Sequence, residues 1–170
     1  MLFRSAALAS DGTVWLLVGS ADSVPNRVSA LQVSGLNNVA SLGDPYGIAT
    51  VTSIAQGVLP VIDKSGNVSL INIQGVSAVG TGFATTATVT SFGGLPAVSS
   101  VSCAGRTPYH CLALATDGSV WSWGNQASEG EIGDGTTVGK SIPVKLTGLP
   151  PIASVLAAYM TSFAEIGRAH

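Results

Sequence analysis

The chain has 170 residues, of which 46% are hydrophobic and only 9% are charged, and it contains 21 glycines. This profile suits one β-rich domain with many tight turns. Its formal net charge of -2 excludes a basic patch of the size that nucleic-acid binding usually needs. The longest apolar stretch, Pro150–Met160, is too short and too interrupted for a membrane-spanning helix. The low number of charges and the many small residues weakly favour a secreted or cell-surface protein, but the sequence assigns no compartment.

Both ends of the chain read as translated sequencing adapter. Leu2–Ser5 is what CTC-TTC-CGA-TCT encodes, and Glu165–His170 is what GAG-ATC-GGA-AGA-GCA-CAC encodes. We therefore interpret residues 1–5 and 165–170 as scars to be left out of fold reasoning, and residues 6–164 as a native segment read from a longer gene. Authentic ends are the alternative, and the codons of the gene distinguish the two.

A hairpin with the same pattern recurs three times along the chain. In each copy, alternating apolar residues lead into a tight turn and then out of it at period two. The copies are Leu8–Trp15, Val61–Val68 and Leu114–Trp121. The turn glycines Gly12, Gly66 and Gly118 are 54 and 52 residues apart, and we expect each to adopt the positive φ that such turns require.

A second marker follows each hairpin: Gly-Leu, two further residues, a β-branched residue, two small residues and another apolar residue. Its copies are Gly35–Leu42, Gly94–Val101 and Gly148–Val155. Two markers that keep the same order, in a unit that recurs about every fifty residues, are typical of a propeller or a repeat array. In the third unit the pattern predicts four strands, at Ser99–Cys103, Cys111–Ala115, Ser119–Trp123 and Ile142–Leu146.

The most complete unit is Leu112–Thr137, a hairpin followed by the glycine-rich turn Gly130-x-x-Gly133-x-Gly135. It resembles one repeat of the regulator of chromosome condensation family, whose repeats build a seven-bladed β-propeller. The resemblance is strong over Cys103–Val155 and moderate before it. It implies an all-β fold, a β-propeller fragment of about three four-stranded blades that is open rather than closed into a ring, with the remaining blades outside the fragment.

No motif predicts a catalytic, cofactor-binding or metal site. The glycine-rich turn superficially resembles a phosphate-binding loop, but no helical pattern follows it, so Gly133 and Gly135 are interpreted as structural turn residues. The carboxylates of Glu129, Glu131 and Asp134 have no EF-hand spacing, and we interpret them as solvent-facing turn residues.

His110 is the sole histidine of the predicted native segment, and nothing in the sequence places a nucleophile beside it. In the family that the chain resembles, the histidine at this place has a structural role within the blade. We therefore expect His110 to be structural, and the chain not to be an enzyme.

Cys103 and Cys111 are eight residues apart, with Gly105 and Pro108 between them. A returning loop can bring their sulfurs within disulfide reach, which implies an oxidising compartment. The alternative is a pair of reduced residues packed as small hydrophobes.

Trp121 and Trp123 share one face of a regular strand. Exposed, they can anchor a partner; buried, they pack between blades. We favour packing.

The sequence therefore predicts a non-catalytic β-propeller scaffold that binds a protein partner whose identity it does not give. One alternative is a secreted or cell-surface repeat protein that binds glycan or cell wall. Another is a propeller module of a larger protein, such as a GTPase exchange factor. No cofactor, nucleic acid or membrane span is implied.

Overall fold

The computed structural model describes residues 2–20, 28–43, 56–75, 85–104, 110–124, 129–158 and 161–167. Within these ranges the chain forms thirteen β-strands and no helix, which confirms the predicted all-β fold. In chain order the strands are β1 (Leu2–Leu8), β2 (Val14–Ser20), β3 (Val28–Gln32), β4 (Val39–Leu42), β5 (Gln56–Asp63), β6 (Val68–Gly75), β7 (Thr85–Ser91), β8 (Val98–Ala104), β9 (His110–Ala115), β10 (Val120–Gly124), β11 (Lys140–Lys145), β12 (Ile152–Ala158) and β13 (Thr161–Ile166).

The strands form four antiparallel sheets in which consecutive strands are hydrogen-bonded neighbours. We call them blade 1 (β1–β3), blade 2 (β4–β7), blade 3 (β8–β11) and blade 4 (β12–β13). Blades 2 and 3 have four strands each, whereas the described residues of blades 1 and 4 supply three and two. In blades 2 and 3 the predicted hairpin joins the second strand to the third. In blade 1 the same hairpin joins β1 to β2, so β1 corresponds to a second strand. In blade 4, β13 follows the first strand β12 and also corresponds to a second strand. An open stack of about three blades is confirmed.

The residues interpreted as adapter sequence fall partly inside these strands. Residues 2–5 belong to β1 and pair with β2, and residues 165 and 166 belong to β13 and pair with β12. Backbone pairing does not depend on where a residue comes from, so the adapter interpretation stays a prediction.

The second sequence marker coincides with the first strand of a blade. In β4, β8 and β12 the β-branched residue is buried, and the register with the next strand shifts at the small residues that follow it. The shifts lie between Val39 and Ser41, between Val98 and Ser100, and between Ile152 and Ser154. A bulge of this kind increases the local twist of the strand, and its repetition gives the three inner strands the same shape.

The core lies between the blades. Each pair of neighbouring sheets encloses its own cluster of buried side chains, because a single blade has no other surface on which to bury its apolar face. Between blades 1 and 2 the cluster includes Val14, Leu16, Leu59 and Ile71. Between blades 2 and 3 it includes Leu70, Val101, Cys111 and Trp123, and between blade 3 and β12 it includes Leu112, Val120 and Val155.

Candidate interaction surface

The connections between strands alternate between two ends of the sheets, because consecutive strands are antiparallel. At one end, the hairpin face, every connection has four to six residues. At the other end, the loop face, the connections range from two to fifteen residues. Residues 129–139, between β10 and β11, are the main part of the loop face that the structure describes. The hairpin face is therefore uniform from blade to blade, whereas the loop face is not.

On the hairpin face an aspartate organises the turn of blade 1. One carboxylate oxygen of Asp11 accepts hydrogen bonds from the Thr13 backbone N–H (2.9 Å) and the Thr13 hydroxyl (2.7 Å). The indole N–H of Trp15 donates to the same hydroxyl at 3.1 Å. The bond from the Thr13 hydroxyl is the main reason that the pKa of Asp11 lies below its ordinary value of 3.8.

Blade 3 repeats this network with serine in place of threonine. Asp117 accepts from the backbone N–H (2.9 Å) and hydroxyl (2.6 Å) of Ser119, and the Trp121 indole donates to that hydroxyl at 3.2 Å. The bond from the Ser119 hydroxyl lowers the pKa of Asp117 in the same way. Each of the two turns therefore favours the charged form of its aspartate.

Blade 2 builds the same turn from different bonds. Asp63 accepts from the backbone N–H of Ser65 and from both the backbone and the side-chain amide of Asn67. Burial acts to raise the pKa of Asp63, but these hydrogen bonds outweigh it and the pKa is lowered. Ser69 stands where blades 1 and 3 have tryptophan, and its hydroxyl bonds with that of Ser91 at 2.8 Å.

The turn glycines named from the sequence have φ between 76° and 84°. They are Gly12, Gly66, Gly118, Gly133 and Gly135. A Cβ atom at Gly66 would lie 2.8 Å from the Ala97 Cα, on the link to the next blade, whereas a Cβ at Gly118 would meet nothing closer than Pro151 at 3.6 Å. Gly66 is thus required by a close approach of two backbones as well as by its φ.

These turns also join the blades through hydrogen bonds. The carbonyl of Gly12 accepts from the Val39 N–H at 3.1 Å, and the carbonyl of Gly66 accepts from the Val98 N–H at 2.9 Å. The Gly118 carbonyl makes the corresponding bond to the first residue of β12 at 3.3 Å. The hairpin of each blade is thus hydrogen-bonded to the first strand of the next blade, so the hairpin face holds neighbouring blades together.

Trp121 and Trp123 point toward blade 2. Trp123 is 2% exposed and packs against Phe92 with ring centroids 5.1 Å apart. Trp121 is half-buried against the same cluster. The structure therefore places both side chains in packing between blades, and Trp123 has no surface left with which to contact a partner.

Cys103 and Cys111 are joined by a disulfide between directly opposed residues of β8 and β9, with their Cα atoms 4.1 Å apart. The intervening Gly105 and Pro108 lie outside the described residues. Both cysteines are buried beside Trp123.

The glycine-rich turn on the loop face is partly buried, whereas Glu129 at its start is exposed. Ile132 is 1% exposed, and the Glu131 carbonyl accepts a hydrogen bond from the Ser162 hydroxyl of β13 at 2.7 Å. Asp134 accepts from the Thr136 hydroxyl at 2.7 Å and lies 3.1 Å from the Lys140 ammonium group. These bonds, that from Thr136 first, lower the pKa of Asp134. The turn thus fastens blade 3 to blade 4.

His110 lies near this contact between the glycine-rich turn and β13. Its ring is buried, and among the described residues nothing forms a hydrogen bond with Nε2. Burial lowers its pKa below the ordinary 6.5, against the opposing effects of the Glu131 charge and a hydrogen bond with the Thr161 backbone. The neutral ring is therefore a component of the interface between blades 3 and 4.

Among the described residues, no three His, Cys, Asp or Glu side chains form a group that could hold a metal ion. No helix of the described chain is long and apolar enough to cross a membrane. Sequence reasoning missed Ile132, whose burial would have been indicated by an apolar residue placed between two glycines of a polar turn.

Stacked antiparallel sheets with their core between them and two unequal faces define a β-propeller module. The family model described as "Regulator of chromosome condensation (RCC1) repeat" matches residues 117–164, and a second model with the same description matches residues 98–130. Residues 98–164 therefore match RCC1 repeats, as the glycine-rich turn and the hairpin of this part of the chain predicted.

The solved structures agree with this fold. The crystal structure of human WBSCR16 is similar to the chain with a TM-score of 0.57 and 19% sequence identity, over 91% of this chain and 40% of that one. The chain thus spans about two fifths of the length of this structural relative. None of the curated proteins matches the sequence significantly.

Proposed function

We propose that the chain is a non-catalytic propeller scaffold and that its loop face binds another protein. The contrast between the two faces carries the proposal. Connections on the hairpin face are short, uniform and engaged in bonds between blades, so they have little freedom to vary. Loop-face connections differ in length from blade to blade, and rigid scaffolds commonly present their binding residues on such loops.

The described part of the loop face offers a contact point beside the fastened turn. Val138 is 63% exposed there, and Thr136 and Thr137 are exposed next to it. The turn beneath them is held by the Asp134–Lys140 ion pair, so these side chains lie on a backbone that is already ordered. Pre-ordered contact groups lower the entropic penalty of association.

Site-specific photo-crosslinking tests the choice of face. A photoreactive residue at Val138 on the loop face is compared with one at Lys64, which is exposed on the hairpin face. We expect one saturable protein adduct from position 138, competed by the unlabelled chain, and none from position 64. Equal labelling at both positions would contradict the proposal, and so would turnover of a small substrate by the chain.

Binding of glycan or cell wall is a second candidate, favoured by the outer strand of blade 2. Thr86, Thr88 and Thr90 of β7 are exposed at every second position, and the Asn72 amide donates to the Thr90 hydroxyl at 3.1 Å. A row of hydroxyl and amide groups suits hydrogen bonding to sugar hydroxyls. If the chain is retained on a polysaccharide column and Thr88→Ala is not, this candidate is favoured. If Thr88→Ala is retained as strongly as the unmodified chain, the candidate is removed.

A module of a larger protein, such as a GTPase exchange factor, is compatible with the same proposal. The chain spans about two fifths of its structural relative, so further blades or domains can decide the partner. Nucleotide release from a panel of small GTPases by the full-length protein tests this form of the proposal.

A further inference from the structure

We infer that the Cys103–Cys111 disulfide is a permanent crosslink, made as the chain folds in an oxidising compartment, which holds Trp123 in place between blades 2 and 3. The two cysteines face each other across β8 and β9, and Trp123 faces Cys111 across β9 and β10. The three side chains thus form one row across three strands on the face toward blade 2.

Burial separates this crosslink from a reversible redox sensor. Cys103 is 3% exposed and Cys111 is 0% exposed, within the cluster that includes Val58 and Trp123. Thiol–disulfide exchange requires a thiolate to approach a sulfur atom, and redox-sensing cysteines are accessible to solvent. In the folded chain neither sulfur meets that condition, so the bond is made once and then kept.

The corresponding strand pair of blade 4 has no cysteine at this place. Ala157 and Ser162 face each other there, in the register of Cys103 and Cys111. In blade 2, Leu59 occupies the position of Cys111 and fills the core with its own side chain. The cysteines are therefore a specific feature of blade 3, next to the large indole of Trp123.

Formation of the bond removes two protons and two electrons from the two thiols. The electrons pass to a disulfide of the thiol–disulfide oxidoreductase class, which becomes a dithiol. Such oxidants act in the secretory pathway, the periplasm and the cell exterior, and structural disulfides are rare in the cytosol. The inference does not rest on the proposed partner binding.

Counting the free thiols by mass tests whether the bond forms in an oxidising compartment. The chain is produced once with export to an oxidising compartment and once in a reducing cytosol, then alkylated in denaturant without reductant and weighed. We expect no adduct on the exported chain and two on the cytosolic chain. Alkylation of both thiols in the exported chain would overturn the inference, and this readout does not depend on whether a sample is folded.

Trp123 fluorescence tests the structural role. A nearby disulfide quenches indole emission, so reduction of the bond should increase the emission of Trp123. We expect a reductant to have this effect on the exported chain only in denaturant, because the buried bond becomes accessible only when the cluster opens. The increase should disappear in Trp123→Phe, although Trp15 and Trp121 remain. Rapid reduction of the native chain by a mild dithiol would show an accessible sensor and would overturn the inference.

A matched pair of variants separates the crosslink from its position. Cys103→Ala with Cys111→Ala should lower the thermal midpoint by about 5 to 10 °C and change the near-ultraviolet dichroism of Trp123. Ala157→Cys with Ser162→Cys places a crosslink at the equivalent point of blade 4 and should leave the Trp123 signals unchanged. Unchanged Trp123 signals in the alanine variant would overturn the positioning role.

Discussion

At the scale of single residues, an aspartate and a hydroxyl residue two positions later organise the hairpins of blades 1 and 3. Asp11 with Thr13 and Asp117 with Ser119 make the same pair of bonds, and in each blade a tryptophan donates to the hydroxyl. Blade 2 reaches the same turn through Asp63. The backbone requirement is thus constant while the side chains that meet it differ.

The glycines of these turns differ in how tightly the next blade approaches them. Gly118→Ala should lower the free energy of unfolding by about 1–2 kcal/mol, because alanine disfavours a φ of 81°. Gly66→Ala should lower it by roughly 1 kcal/mol more, since its Cβ would also meet the Ala97 backbone. Urea unfolding of both variants checks the difference, and equal losses would show that the close approach relaxes freely.

At the scale of elements, the glycine-rich turn joins blade 3 to β13 through the Glu131 carbonyl and buries the side chain of Ile132. Ile132→Ala should lower the free energy of unfolding by about 2–5 kcal/mol, the usual range for truncation of a fully buried isoleucine. Val138→Ala on the same segment is the control, because Val138 is exposed and its truncation should change stability by less than about 0.5 kcal/mol. Chemical denaturation of both variants measures the two losses.

His110 makes this interface sensitive to pH. Its pKa is below 6.5 in the folded chain, so as the pH falls below 6.5 the unfolded chain takes up a proton more readily than the folded one. The stability that the neutral ring contributes is therefore complete above pH 6.5 and is lost progressively below it.

The expected result is a fall in the free energy of unfolding between pH 7 and pH 5, which is reduced in His110→Gln. Denaturant titrations across this range measure it. Asp117 adds little to this slope, because its lowered pKa moves its own loss of stability to lower pH. The same slope in both proteins would remove His110 as its source.

At the scale of the whole molecule, blade 4 has an apolar face that no described residue covers. Leu156 and Phe163 of blade 4 are 49% and 53% exposed, while Leu112, at the position of Phe163 in blade 3, is buried by β12. Exposed apolar surface of this kind drives association.

The 170-residue chain should therefore self-associate as its concentration rises. Leu156→Thr combined with Phe163→Thr should raise the concentration of half-association by about tenfold or more, because two large apolar side chains no longer leave water. Ile142→Thr, which removes an exposed hydrophobic residue of β11, should have little effect. Light scattering across a concentration series distinguishes this result from non-specific aggregation, in which all three changes would act alike.

Local rules were sufficient to predict the strands of the third unit. The predicted Ser99–Cys103 and Ile142–Leu146 are β8 and β11 within two residues at each end, because period-two alternation and turn glycines act over a few neighbours. The exposure of Phe163 could not be predicted in this way, since it depends on whether another blade covers the residue.

The sequence by itself determined the repeat, the turn positions and the all-β class, since these depend on backbone preferences and side-chain alternation within single units. Only the tertiary structure decided which faces meet. It placed Trp123 against Phe92, closed the Cys103–Cys111 bond beside it and brought the glycine-rich turn onto β13. These contacts join residues of different strands and blades, and their distances depend on how twisted sheets stack rather than on any local pattern.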